Sequence, residues 1–67
     1  MFKYSINLMW SDEDEAYIAT IPEFPGLSAF GDTPDEAVKE VQVVCESFIE
    51  VYKKDRIELP NPIKITD

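Results

Sequence analysis

Residues 21–37 carry most of the information about the topology of this chain: Ile21-Pro22-Glu23-Phe24-Pro25-Gly26-Leu27-Ser28-Ala29-Phe30-Gly31-Asp32-Thr33-Pro34-Asp35-Glu36-Ala37. Because Pro22 and Pro25 have no backbone N–H to donate to a β-ladder, we expect a strand to end near Ile21. Gly26, directly after Pro25, supplies a residue suited to a tight turn. The pattern therefore predicts a strand that is followed at once by a proline-framed turn.

A short strand and a helix are predicted after this turn. The strand covers Leu27 to Phe30 and ends at Gly31-Asp32. The helix runs from Pro34 to about Lys54, and Pro34 suits its first position because the missing N–H costs nothing there. Thr33 can cap the helix, since Glu36 follows at the three-residue spacing of a capping box.

The apolar residues of the predicted helix share one face, with Val43 as the exception. At about 100° per residue they fall within an arc of roughly 160°. The members of this face are Ala37, Val38, Val41, Val44, Cys45, Phe48, Ile49, Val51 and Tyr52. A face this wide predicts that the helix lies across a sheet.

The residues before Ile21 predict an antiparallel hairpin. Apolar residues alternate with other residues in the first ten positions, which indicates a strand with one buried face. The apolar members are Phe2, Tyr4, Ile6, Leu8 and Trp10. A polar turn at residues 11–15 leads to a second strand at residues 16–21, which are rich in β-formers.

The last residues predict a connector and a fourth strand. Pro60-Asn61-Pro62 is a stiff, extended segment, and Ile63 to Thr66 alternates as a short strand does. This strand would pair with an edge of its own sheet or with a second chain. We therefore predict one α+β domain over residues 1–67, a three-stranded antiparallel meander covered by one helix, in the order β-β-β-α-β.

The charge of the chain favours a protein partner over a nucleic acid. Fourteen acidic residues and six basic ones give a net charge of −8. Neutralising phosphates needs clustered lysines and arginines, so direct nucleic-acid binding is not expected. A basic protein partner is favoured electrostatically. The alternative interpretation is that the acidic residues only keep a small protein in solution.

Size and composition bear on assembly and location. A domain of this length buries only about 60% of its unfolded surface, and such domains often gain stability by self-association or by binding a partner. The single cysteine, Cys45, cannot form an internal disulfide, and neither a signal peptide nor a membrane span is expected. These features predict a cytoplasmic protein.

Catalytic groups are scarce, and we expect neither enzymatic activity nor a cofactor. The chain has no histidine, the commonest general base and metal ligand. Cys45 lies within the apolar face of the helix and is expected in the core. Gly26 and Gly31 have the glycine spacing of a phosphate-binding loop, but the lysine that such a loop needs after its second glycine is absent. Carboxylates are the remaining candidates, and the alternative they leave open is a Mg²⁺-dependent nuclease that uses Asp12, Asp14 and Asp32.

Charge and expected exposure select the predicted partner contacts. These are Asp12, Glu13, Asp14, Glu15 and Glu23, with Phe24 as an apolar anchor. Aromatic residues are enriched at binding hot spots, although Phe24 and Phe30 could instead belong to the core, and Trp10 is expected at its rim. A second set is expected to shape the turn and the helix start: Pro22, Pro25, Gly26, Gly31, Asp32, Thr33 and Glu36.

Two motifs together resemble the HicB-like antitoxin family. They are P-x-x-P-G at residues 22–26 and G-D-T-x-x-E-A at residues 31–37. The run from Tyr4 through the acidic turn to Tyr17, and the late Ile57-Glu58-Leu59-Pro60-Asn61-Pro62, are similar to the same family. The resemblance thus spans nearly the whole chain.

This resemblance implies a partial RNase H-like fold and the role of an antitoxin. The implied partner is a small, basic HicA-type toxin that cleaves mRNA, and the antitoxin would mask its RNA-binding or active face. Family members often form dimers or larger assemblies. Many also carry a C-terminal DNA-binding domain, for which residues up to Asp67 leave no room, so operator binding by this chain alone is not expected. A stand-alone acidic module for another basic protein is a further alternative.

Overall fold

The computed structural model describes residues 3–62 of the chain. In that range the elements are β1 (Asn7–Ser11), β2 (Ala16–Thr20), β3 (Ser28–Gly31) and α1 (Pro34–Lys54). The strands form a sheet in the order β1-β2-β3, and both neighbouring pairs are antiparallel. The predicted three-stranded meander with one helix, and with it the α+β class, is confirmed. The predicted fourth strand lies outside the described residues.

Two consecutive β-turns connect β2 to β3, and each has a proline at its second position. The N–H of Phe24 donates to the carbonyl of Ile21 over 2.9 Å, and the N–H of Leu27 donates to the carbonyl of Phe24 over 3.0 Å. Gly26, the third residue of the second turn, has a φ of 86°. This left-handed conformation is the one that a type II turn requires at that position. Pro22, Pro25 and Gly26 together therefore shape the reversal of the chain.

The start of α1 is fixed by reciprocal capping bonds. Thr33 has an extended backbone, with φ −127° and ψ 159°, and its Oγ1 accepts from the N–H of Glu36 over 3.1 Å. The Glu36 carboxylate in turn accepts from the N–H of Asp32 over 2.9 Å, one residue before the usual capping-box donor. Pro34 occupies the first turn. The helix therefore begins at the predicted residue, and it also ends at Lys54 as predicted.

Small residues let the helix lie close to the sheet. The helix packs mainly on β3, less on β2, and touches β1 only slightly. Ala19 and Ala29 are paired neighbours on the side of the sheet that α1 covers, and they are 0% and 8% exposed. A Cβ added at Gly31 would lie 2.8 Å from the carbonyl carbon and the Cβ of Glu36, and closer still to the N of Ala37. Gly31 is thus the point of closest approach between β3 and α1.

The core lies between α1, the proline turns and the central strands. Its buried side chains are Tyr4, Ala19, Ile21, Phe24, Leu27, Ala29, Ala37, Val41 and Cys45. Cys45 is fully buried, as predicted. The Tyr4 hydroxyl donates to the carbonyl of Pro60 over 2.9 Å. This bond ties the segment after the helix to the segment before β1.

The prediction that the first strand buries one face is wrong for β1. Tyr4 is buried but precedes the strand, which begins only at Asn7. Leu8 and Trp10 lie on the helix side of the sheet, yet they are 42% and 50% exposed. The reason is that α1 lies over β3 and β2 and leaves this edge strand uncovered. Phe2 lies outside the described residues.

The other strand bounds differ by one residue from the prediction. β2 ends at Thr20 rather than Ile21, because the Ile21 carbonyl already closes the first turn. β3 covers Ser28–Gly31 rather than Leu27 to Phe30, because the Leu27 N–H closes the second turn.

The buried face of α1 is narrower than predicted. The fully buried residues of the helix are Ala37, Val41 and Cys45, whereas Phe48 and Val51 are 42% and 54% exposed. Strands of four and five residues cannot cover the whole apolar arc of a helix of 21 residues. Val43 is exposed, as its position outside the arc predicted.

Candidate partner-binding surface

The acidic turn between β1 and β2 is fully on the surface. Residues 12–15 are exposed, and Glu15 adopts a left-handed φ of 50° that closes the turn. The Trp10 Nε1 donates to the Asp12 carboxylate over 2.7 Å. The Ser11 hydroxyl donates to the Asp14 carboxylate over 3.0 Å. These bonds hold two of the four carboxylates at fixed positions on a hairpin end.

Glu23 lies on the opposite end of the sheet from the acidic turn. It is half-buried in the first proline turn, and its two carboxylate oxygens accept from the N–H of Ser5 over 3.2 and 3.1 Å. The Ser5 hydroxyl donates to the same group over 3.2 Å. Glu23 therefore connects the proline turn to the segment before β1, and the structure does not bring it together with residues 12–15.

The prediction of Phe24 as an exposed anchor is wrong, because its side chain is 2% exposed. Its ring centroid lies 5.0 Å from that of Tyr4 and 5.5 Å from that of Tyr52, in edge-to-face geometry. The two proline turns direct this ring under the helix. Phe24 is therefore a core residue, which was the alternative that the sequence left open.

The sheet face turned away from α1 carries a row of apolar side chains, which we call the open-face row. Met9 pairs with Ile18, and Ile18 pairs with Phe30, so the three side chains lie side by side across the sheet. Met9 is 55% exposed and Phe30 49% exposed. Ile18 between them is half-buried.

A pocket of about 410 Å³ lies beside Phe30, where β3 meets the start of α1. Its lining residues are Ala16, Phe30, Gly31, Asp32, Glu36 and Glu40. Among the described residues that line it there are three carboxylates and no lysine or arginine. The pocket therefore places an aromatic ring beside three negatively charged side chains.

Two buried groups have raised pKa values. Burial raises the pKa of the Tyr4 hydroxyl, and the neighbouring Cys45 and Glu23 add to the effect. Burial likewise raises the pKa of the Cys45 thiol, with the charges of Glu23 and Glu46 as smaller causes. A thiol that is buried and resists ionisation is a poor nucleophile.

The geometry gives the nuclease alternative no support. Within residues 3–62, no group of three or more histidine, cysteine, aspartate or glutamate side chains is arranged to hold a metal ion, and Asp12, Asp14 and Asp32 do not form one. In the same part of the chain, no helix has the length and apolar character needed to cross a membrane.

The open-face row was missed by sequence analysis. The alternation of β1 assigns Met9 to the polar face, and Phe30 was considered only as a core residue. Register alone brings these two side chains to the same row, and register is not visible in either strand by itself. The available signal was Phe30, since the alternation of Leu27 and Ala29 toward the core places Phe30 on the other face.

Comparisons with known proteins agree with the motifs. Residues 4–67 match the family model described as the HicB-like antitoxin of bacterial toxin–antitoxin system. The chain is 31% identical over 58 residues to the UPF0150 protein Ta0767 of Thermoplasma acidophilum, and the alignment covers 87% of this chain and 83% of that protein. No solved structure gives a significant match.

Proposed function

The chain belongs to the HicB-like antitoxin family of bacterial toxin–antitoxin systems, and on that premise we propose that it binds and neutralises a small, basic HicA-type toxin that cleaves mRNA. The observation that carries the proposal is the family match over residues 4–67. A cytoplasmic location and the remaining features of a partial RNase H-like fold belong to the same proposal.

The proposed mechanism is the masking of a cationic RNA-binding or active face. A protein that binds RNA must present lysines and arginines to the phosphates. The chain has a net charge of −8, and its exposed turn at residues 12–15 places four carboxylates at one end of the sheet. These carboxylates are suited to occupy the positions at which the toxin would hold phosphates. Glu23 belongs to the proposed contacts as well, at the other end of the sheet.

Self-association is a second part of the proposal. A domain of this size, whose one described cysteine is a free thiol, commonly gains stability from a second copy. Val51, which is 54% exposed on α1, offers apolar surface for such a contact. Light scattering of the purified chain tests this point. We expect the mass of a dimer or a larger assembly, and a monomer at all concentrations would contradict it.

Co-expression with the adjacent reading frame tests the function. We expect that frame to encode a small basic protein, which is toxic alone, harmless when this chain is present, and recovered in complex with it. The proposal fails if the two proteins do not co-purify. The purified chain alone, incubated with RNA and Mg²⁺, should leave the RNA intact, and cleavage would favour the nuclease alternative.

A further inference from the structure

The open-face row resembles the apolar centre of a protein–protein interface. Met9, Ile18 and Phe30 are direct neighbours across the three strands, and the two outer members are about half exposed. A folded chain rarely leaves large apolar side chains adjacent on a flat surface unless something docks there. Binding energy is concentrated at central apolar and aromatic residues, which a polar rim surrounds.

The rim of this row differs between its two sides. On one side lies the uncharged row of Asn7, Thr20 and Ser28. The other side is acidic. Beyond the Tyr17–Gly31 pair, this end of the sheet leads to Asp32 and to the acidic turn at residues 12–15. The pocket beside Phe30 lies at this same end and adds the carboxylates of Glu36 and Glu40. The apolar centre is thus bordered by negative charge at one end.

The charges around the open face indicate which kind of protein binds there. The residues that alternate onto this face are Asn7, Met9, Ser11, Ala16, Ile18, Thr20, Ser28, Phe30 and Asp32, and none of them is basic. A second copy docked through its own open face would bring the same carboxylates and no lysine or arginine to offset them. A basic partner supplies that cation. Its lysine or arginine can place an alkyl stem or a guanidinium plane on the Phe30 ring while its charge faces Asp32 and Glu40.

We propose that the open face of the sheet is the docking surface for a basic protein, with the Met9–Ile18–Phe30 row as its apolar centre and the pocket beside Phe30 as the receptor for a cationic side chain. The inference rests on the proposed function, since the toxin is the basic protein concerned. It extends that function by moving the apolar anchor from Phe24 to the opposite face of the sheet.

The test measures binding of variants to the purified protein that the adjacent reading frame encodes. Phe30→Ser and Met9→Ser each remove one outer member of the row, and each should raise the Kd by about tenfold or more. Val43→Ser is the matched control, because Val43 is 60% exposed on α1 and lies outside the proposed surface. It should bind as the wild type does. Glu40→Gln should raise the Kd by about threefold at low salt and have little effect at high salt.

A second measurement needs no variant, in case Phe30→Ser does not fold. Methyl resonances of Met9 and Ile18 should shift when the partner is added, whereas those of Val43 should not. Shifts confined to the helix would overturn the inference.

The possible outcomes distinguish failure of the proposed docking surface from failure of the proposed function. If the wild type does not bind the neighbouring protein, the proposed function fails and the inference fails with it. If the wild type binds and both row variants bind equally well, the inference alone is overturned. If Phe30→Ser abolishes self-association and leaves partner binding unchanged, the face is occupied by a second copy and the inference is again overturned.

Discussion

Gly26 and Gly31 are both motif glycines, but they are required for different physical reasons. Gly26 has a left-handed backbone, and a Cβ there would meet nothing within 4 Å. Gly31 needs no unusual conformation, but a Cβ there would collide with the backbone of the first helical turn. One glycine is therefore required for its dihedral angle and the other for the space that it leaves.

Alanine substitutions should separate these two requirements. Gly26→Ala should lower the free energy of unfolding by about 1 kcal/mol, the cost of a left-handed residue with a side chain. Gly31→Ala should cost about 3 kcal/mol, because backbone atoms would have to move. Urea titrations of the two variants measure the difference. Equal losses would contradict the close approach of β3 and α1.

Phe24 and Phe30 show what sequence could and could not predict at this scale. Both are aromatic residues near the same turn, and nothing in composition distinguishes them. The path of two successive turns sends Phe24 under the helix, whereas strand alternation sends Phe30 to the open face. The position of Phe24 depends on tertiary geometry, and the assignment of the apolar anchor to Phe24 was wrong for this reason. The position of Phe30 follows from the local alternation of β3.

At the scale of elements, the helix was the most predictable part of the chain because its signals are local. Thr33, Pro34 and Glu36 mark its start within four residues. The extent of its buried face was not predictable, because that depends on how much sheet lies beneath it. The same is true of β1, whose alternation was read correctly as a strand but whose burial depends on where α1 crosses the sheet.

The end of α1 offers a stabilising substitution. The N–H of Ile57 donates to the carbonyl of Tyr52 over 2.8 Å, and the N–H of Arg56 donates to that of Lys53 over 3.2 Å. These are the two bonds of a Schellman motif, and Arg56 occupies its left-handed position with a φ of 58°. Glycine adopts this conformation without strain.

We expect Arg56→Gly to raise the free energy of unfolding by about 0.5–1 kcal/mol. Thermal and urea unfolding provide the measurement, and Arg56→Ala serves as the control because it removes the same charge but retains a Cβ. A gain of the same size in both variants would mean that the charge, rather than the backbone conformation, causes the effect.

At the scale of the whole molecule, stability should fall in alkaline solution. The folded state raises the pKa of Tyr4 and of Cys45 above their ordinary values of 10.0 and 9.0, mainly through burial. Both groups are therefore held in the neutral form. Their contribution to stability is complete below the unfolded-state pKa values and is lost as the pH rises through the folded-state values.

Urea midpoints measured from neutral pH to about pH 10.5 should decline once the pH passes the ordinary cysteine pKa of 9.0. Cys45→Ala should show a smaller decline at the lower end of that range. Thiol reagents should label Cys45 slowly in the folded chain and rapidly in urea. Rapid labelling of the folded chain would contradict the burial of this thiol.

The negative charge of the molecule should matter by its position as well as by its amount. Glu13→Lys and Glu46→Lys each raise the net charge of −8 by two, and both positions are exposed. We expect Glu13→Lys, in the acidic turn, to slow association with the partner by about tenfold at low salt. Glu46→Lys, on α1, should have a much smaller effect. Equal effects in stopped-flow measurements would assign no special role to the turn.

The most direct test of the proposed masking is to add this chain in increasing amounts to the proposed toxin, the product of the adjacent reading frame, and to measure RNA cleavage. If the chain masks an RNA-binding face, cleavage should stop near one equivalent, and excess RNA should slow the formation of the inhibited complex. Cleavage that continues at saturating concentrations of a chain that nevertheless binds its partner would contradict masking.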